Sequence, residues 1–239
     1  MENEVAARLI DLNRQFYQTF AVQFAATRHR LQPGVTRVLA NIPSDGDVLD
    51  LGCGNGELAR ALGRHGFHGS YLGLDFSEGL LSVARQGLPG NFTFSQVDFS
   101  TPGWDSLLHE RHFTYALAFA VLHHLPGRGL RLSLLSGLCA YLVDGGRLVH
   151  SEWQFLNSPR LRKRLQPWES VGFSTDMVDE GDYLLDWRAG GSGLRYVHHF
   201  TQSELADLAQ NSGFRIVDTF FSDGEGGRLG LYQVWEKHV

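Results

Sequence analysis

Residues 48–62, VLDLGCGNGELARAL, place glycines at positions 52, 54 and 56 directly after an apolar run. Val48, Leu49, Asp50 and Leu51 read as a buried strand, and the residues from Gly56 onward read as the start of a helix. The three glycines therefore fill a tight strand-to-helix turn. Without Cβ atoms they permit positive φ and let a ligand lie directly against the backbone. The dinucleotide fingerprint is G-x-G-x-x-G, with a pyrophosphate on the helix N-terminus. Here the spacing is G-x-G-x-G, preceded by Asp50 and followed by Glu57. Two carboxylates repel a pyrophosphate and suit a ligand carrying a positive centre and an ammonium group.

The next two strand ends extend this reading. YLGLDFS puts Asp75 at a strand C-terminus, where an acidic residue meets ribose hydroxyls, with Phe76 placed to lie along a base. FSQVDFS puts Asp98 at the following strand end, placed to accept from an adenine amino group, with Phe99 beside it. Each aspartate alone reads more readily as a helix cap or turn residue than as a ligand contact. Three at consecutive strand ends form a crescent that fits the sulfonium, amino group, ribose and adenine of S-adenosylmethionine.

The rest of the chain agrees with an α/β protein of ordinary composition. Its 239 residues are 43% hydrophobic and 20% charged, with net charge −5, enough chain for a sizeable core. No apolar run is long enough to cross a bilayer, so no membrane association is expected. The N-terminal MENEVAARLIDLNRQF lacks the basic and apolar regions of a secretory signal. Two cysteines, Cys53 and Cys139, rule out a disulfide framework and point to a cytoplasmic setting. The acidic balance confines any nucleic-acid-binding face to a local patch.

Apolar spacing predicts an amphipathic helix over 3–25 and a short helix from Pro33 to near Asn41. Strands are expected at 47–51, 70–74, 92–97, 114–120 and 146–152, with helices at 56–65, 77–87, 104–110 and 128–142 between them. Alternation of this kind implies a parallel sheet covered on both faces. Residues 154–196 break the rhythm with a basic cluster, an acidic cluster and a glycine-rich stretch. A helix over 201–213 follows, opened by a Thr201–Glu204 capping box, and then strands 214–221 and 229–236 joined as a hairpin. We expect one domain over 1–239: a helical cap (1–45), a cofactor-binding core (46–152), a substrate-side insertion (153–200) and a C-terminal helix and hairpin (201–239).

VLDLGCGNGELA, LGLDFS, QVDF and LAFAVLHHLP together resemble the motifs of class I S-adenosylmethionine-dependent methyltransferases, in order and spacing over roughly residues 45–152. The resemblance implies a Rossmann-like, seven-stranded, mostly parallel sheet with helices on both faces and an antiparallel last strand. It also implies that Gly52, Gly54 and Gly56 hold the methionine part, while Asp75 and Asp98 hold ribose and adenine. Asp50 and Asn55 in the turn, and Phe76 and Phe99 beside the two aspartates, complete the candidate cofactor contacts.

The flanks are similar to the tRNA wobble-uridine carboxymethyl methyltransferases of the AlkB-homologue 8 type. The matching stretches are FAATRHRLQPGVTRVL, AVLHHL with the arginine-bearing helix after it, GGRLVHSEWQF, and GDYLLDW followed by LRYVHHFTQSELADLAQNSGF. This second resemblance implies Arg28 as a further cofactor contact, tRNA as partner, and a small activator subunit. Asp186 stands where that family tends to have proline, and Thr114 where it has aspartate. EGGRLGLYQVWEK replaces its usual Asn-Trp ahead of the final strand.

A carboxylate acceptor is already nucleophilic, so methyl transfer to it needs alignment and no general base. Arg195 and His198 are the candidate clamp for such an acid, with Tyr196 and Trp187 as pocket walls and His123 facing the methyl position. The basic segment 160–164, with Arg160, Arg162, Lys163 and Arg164, is a candidate tRNA-backbone contact. The histidine pairs 123–124 and 198–199 do not match metal-ligand spacing, and no metal is expected. Two other readings stay open: methylation of a small metabolite beneath a 154–196 lid, and a non-catalytic S-adenosylmethionine-binding subunit.

Overall fold

A computed structural model describes residues 1–26, 30–188 and 191–238. Two helices, α1 (Asn3–Ala26) and α2 (Pro33–Leu39), precede the core. Then β1 (Val48–Leu51), α3 (Glu57–Arg64), β2 (Tyr71–Asp75), α4 (Glu78–Ala84), β3 (Phe92–Gln96), β4 (Phe113–Phe119), α5 (Arg128–Tyr141) and β5 (Leu142–Trp153) alternate as expected. After α6 (Pro159–Arg162) come β6 (Leu165–Gln166), β7 (Asp182–Trp187) and β8 (Gly193–His198). The chain closes with α7 (Gln202–Asn211), β9 (Phe214–Ser222) and β10 (Gly230–Lys237).

Seven strands form one sheet in the order β3-β2-β1-β4-β5-β10-β9. The first five pair in parallel, and β10 runs antiparallel to both β5 and β9. This is the Rossmann-like sheet with a reversed last strand. Strand β1 shows why both faces must be covered. Its four residues are all buried, Leu49 and Leu51 facing the cluster that includes Leu135 and Leu208, Val48 facing the one that includes Leu62 and Val38. A strand central to such a sheet meets apolar neighbours on both sides and so needs no polar alternation.

One expected helix is absent. Residues 104–110 hold only a short turn at Ser106–Leu108. The amides of Thr101, Trp104, Ser106, Leu108 and Arg111 all bond the carbonyl three residues back, and Glu110 ends the run at φ 67°. Such bonds make tight turns, which are short-lived as helix.

The stretch 154–196 builds its own antiparallel sheet, β6-β7-β8, and α1 lies against β8. Asn13 on α1 makes the joint: its amide oxygen accepts from the Tyr196 N–H at 2.8 Å and its amide nitrogen donates to the Tyr196 carbonyl at 3.1 Å. Val5, Leu9, Trp168, Phe173, Leu184 and Tyr196 bury one apolar cluster between them.

A buried ionic joint ties this small sheet to the core. Arg131 of α5 is 1% exposed and donates to the Leu125 carbonyl, the Tyr196 hydroxyl and Glu204 at 2.9, 2.9 and 3.2 Å. The Tyr196 hydroxyl donates to Asp182 at 2.7 Å, and His198 lies between Asp182 (2.6 Å) and Glu204 (2.9 Å). Both His198 ring nitrogens thus face carboxylate oxygens, and Arg131, His198, Asp182 and Glu204 form one polar cluster. The expected capping box is therefore only half made. Thr201 accepts from the Glu204 N–H at 3.1 Å, while the Glu204 carboxylate is drawn to Arg131 and His198. Replacing Arg131 leaves Asp182 buried without its guanidinium, a cost of about 3 kcal/mol. Arg131→Met is expected to lower the urea midpoint accordingly, with an additional Asp182→Asn change recovering part of the loss.

Candidate active site

The C-terminal ends of β1, β2, β3 and β4 open onto two adjoining cavities that share Gly52, Gly54, Leu80 and Phe119. The larger, about 200 Å³, is lined by Asp75, Phe76, Asp98, Phe99 and Ser100 on one side. Asn13, Arg14 and Tyr17 of α1, with Val121 and His124, line the other. The smaller, about 160 Å³, runs past Asp50, Asn55, Glu57 and Arg30.

The glycines divide their work. Gly52, Gly54 and Gly56 sit at φ 66°, 56° and 80°. A Cβ on Gly52 would meet Val121 at 2.8 Å and one on Gly56 would meet Ala84 at 2.9 Å, so these two serve close packing. A Cβ on Gly54 meets nothing within 4 Å, which leaves its backbone open to a ligand. Gly56 lines neither cavity; it caps α3 and lets α4 approach.

Asp75 holds this turn. One carboxylate oxygen accepts from the Gly54 N–H and the other from the Ser77 N–H, each at 2.9 Å. Burial pushes its carboxyl above the usual range, against the pull of those two N–H groups. Asp98 is anchored by the Ser100 N–H at 2.9 Å, the Ser100 hydroxyl and Arg14 at 2.7 Å. Burial works to raise its pKa, but the Ser100 and Arg14 bonds outweigh it and hold it low. Phe76 and Phe99 both face the cavity, Phe76 edge-on to Tyr17 at 5.9 Å.

Asp50 departs from its expected role as a fixed negative charge. Its side chain is buried, accepts from the Tyr71 hydroxyl, and burial raises its pKa to about 7. Glu57 is neutralised in turn by Arg60 at 3.0 Å. The smaller cavity is thus milder electrostatically than two free carboxylates would make it.

None of the three candidate catalytic residues lines either cavity. His198 is locked in the ionic joint described above. His123 is 2% exposed and faces Glu152 at 3.0 Å; the neighbour His124 reaches the cavity instead, with Nε2 2.7 Å from the Tyr17 hydroxyl. Arg195 is buried among aromatic rings, its guanidinium 4.7 Å from the Trp153 ring centroid, 5.5 Å from Phe16 and 5.7 Å from Trp187. Tyr196 and Trp187 are buried in the small sheet and line neither cavity. Arg28 lies outside the described residues. In the basic segment Arg160, Arg162 and Lys163 are exposed, while Arg164 is taken up by the Asp186 carboxylate at 2.8 Å and carbonyl at 2.7 Å. Asn13, Arg14, Tyr17 and His124 are site residues missing from the expectation. Ile10, Asn13, Arg14 and Tyr17 all line the cavity at helical spacing, a stripe visible in the sequence but obscured by the apolar stripe beside it.

Among the described residues no group of His, Cys, Asp and Glu has the arrangement of a metal site, and no helix is long and apolar enough to cross a membrane.

Parallel strands ending on a glycine turn, followed by two anchored acidic residues, define a nucleotide-type pocket at the switch in strand order. A family model described as methyltransferase domain matches residues 24–219, and this chain belongs to that family. It is an enzyme of the methyltransferase class. The tRNA (carboxymethyluridine(34)-5-O)-methyltransferase of Schizosaccharomyces pombe is 25% identical over 229 residues, covering 85% of this chain and 89% of the relative. A trans-aconitate 2-methyltransferase of Methylobacterium nodulans is 36% identical over 132 residues, 54% of this chain and 48% of that protein, so the match spans about half of the relative. Among solved structures, a SAM-dependent methyltransferase of Methanosarcina mazei superposes with a TM-score of 0.64 at 23% identity, covering 87% of this chain and 99% of the other.

The buried Asp50 generates a pH dependence of sign opposite to the usual carboxylate. Between the ordinary value near 3.8 and about 7 the unfolded chain loses this proton while the folded protein keeps it. Stability therefore falls as pH rises through that window, by up to about 1.4 kcal/mol per unit from this group. Urea unfolding at pH 5 and pH 8 should show a smaller pH difference for Asp50→Asn than for the parent.

Proposed function

We propose that this enzyme transfers a methyl group from S-adenosylmethionine to a carboxylate oxygen, and that the acceptor is the carboxymethyl group of a modified tRNA wobble uridine. The residues fit the donor. Gly54 offers open backbone where the methionine part would lie, between Asp50, Asn55 and Glu57 in the smaller cavity. Asp75 and Asp98, with Phe76 and Phe99, offer acceptors and flat apolar walls for ribose and adenine. When bound, S-adenosylmethionine supplies an electrophilic methyl on a sulfonium.

One observation carries the choice of acceptor. The carboxylates that line the larger cavity, Asp75 and Asp98, are at the adenosine end and are already held by hydrogen bonds. At the other end stand Asn13, Tyr17 and His124. An anionic acceptor meets hydrogen-bonding groups there and needs no general base. Alignment then dominates catalysis. The tyrosine–histidine pair and the α1 wall hold the acid in place.

The names of the two relatives support a carboxylate, since carboxymethyluridine and trans-aconitate are both acids. Similarity along most of the Schizosaccharomyces pombe enzyme and the exposed Arg160, Arg162 and Lys163 favour RNA. A small polycarboxylic acid is the second reading, favoured by the net charge of −5 and by the withdrawal of Arg164 into an ion pair. Incubation with methyl-labelled S-adenosylmethionine and bulk tRNA should place label in RNA that mild alkali releases as methanol. Alkali-stable label would overturn the carboxylate acceptor, and label confined to added polycarboxylic acids would support the second reading over the first.

A further inference from the structure

Arg14 stands on α1 at the rim of the larger cavity, one helical turn after Asp11. Its Nη2 donates to the Asp98 Oδ2 at 2.7 Å, and its Nη1 is held by Asp11. Asp98 Oδ1 takes both the backbone N–H and the hydroxyl of Ser100. A carboxylate oxygen accepts about two hydrogen bonds, so Oδ1 is full and Oδ2 keeps one acceptor position. Ser100 and Arg14 together fix how that last position points. The adjacent residue, Asn13, pins the same helix turn to Tyr196 and to the His124 carbonyl at 3.3 Å. The helix thus has one anchor on the acceptor-side sheet and one on the carboxylate at the adenosine end.

We propose that Arg14 is a positioning residue for cofactor binding, which orients Asp98 toward the adenine amino group and holds α1 down over the base. This rests on the reading above that adenine lies at Asp98. It assigns to the N-terminal helix a part in donor recognition that the glycine turn and strand ends do not supply. Since Arg14 acts through Asp98, its effect must vanish once Asp98 no longer offers a carboxylate.

Titration calorimetry with S-adenosylhomocysteine tests this on the 239-residue chain. Arg14→Met is expected to weaken binding about tenfold, as loss of one charge-assisted bond in a half-exposed site implies. Arg14→Lys should recover part of it. In an Asp98→Asn background, Arg14→Met should change affinity by less than about twofold. An Arg14→Met protein that binds as the parent does, or more tightly, would overturn the proposal, the latter by making Arg14 an obstacle to the base. Equal losses in both backgrounds would also overturn it, because Arg14 would then act without Asp98. If Asp98→Asn alone leaves affinity unchanged, the placement of adenine fails first. Arg14 is only partly buried, so thermal melts should match the parent and separate binding from folding.

Discussion

The carboxylate of Asp75 is the contact on which the site depends. It reaches from the end of β2 to the backbone N–H of Gly54 in the β1–α3 turn, and at the same time fixes the Ser77 N–H that opens α4. One side chain thereby sets two strand ends and a helix start relative to each other. The turn it holds uses three left-handed glycines, each of which would otherwise relax toward many conformations. Burial of Asp75 strengthens these hydrogen bonds by lowering the local dielectric.

A second constraint works at a distance. The Arg131–Asp182–His198–Glu204 group joins α5 and α7 of the main layer to the three-stranded sheet. Asn13 then joins that sheet to α1 through the backbone of Tyr196. The wall of the larger cavity is the end of this chain of contacts. Its position relative to the glycine turn is fixed by buried polar groups, which have few alternative partners, more than by apolar packing, which tolerates small shifts.

The strand-end side of the cavities was legible in the sequence because its residues are local. Gly52, Gly54, Asp75 and Asp98 each sit at the end of a strand, and strand ends follow directly from hydrophobic patterning. The wall built by α1 and the turn after β4 was not. His123 and His124 are adjacent, and only the tight turn after β4 decides that His124 faces the cavity while His123 turns to Glu152. His198 and Arg195 carry the right chemistry, but their neighbours in space, Asp182, Glu204, Trp153 and Phe16, come from four separate parts of the chain. The helix expected at 104–110 failed for a local reason, a series of three-residue turns that apolar content alone does not reveal.

The sequence by itself determined the sheet, the glycine turn and the acidic crescent, because periodicity and turn chemistry act between residues close along the chain. It also carried the resemblance to carboxymethyl methyltransferases. Tertiary structure alone decided which charges remain available. Asp50 becomes a carboxyl near neutrality through burial, Glu57 is paired with Arg60, Arg164 with Asp186, and His198 is absorbed into an ionic joint. A side chain's charge is set by its solvation and by partners distant in sequence, and both exist only after the chain has folded.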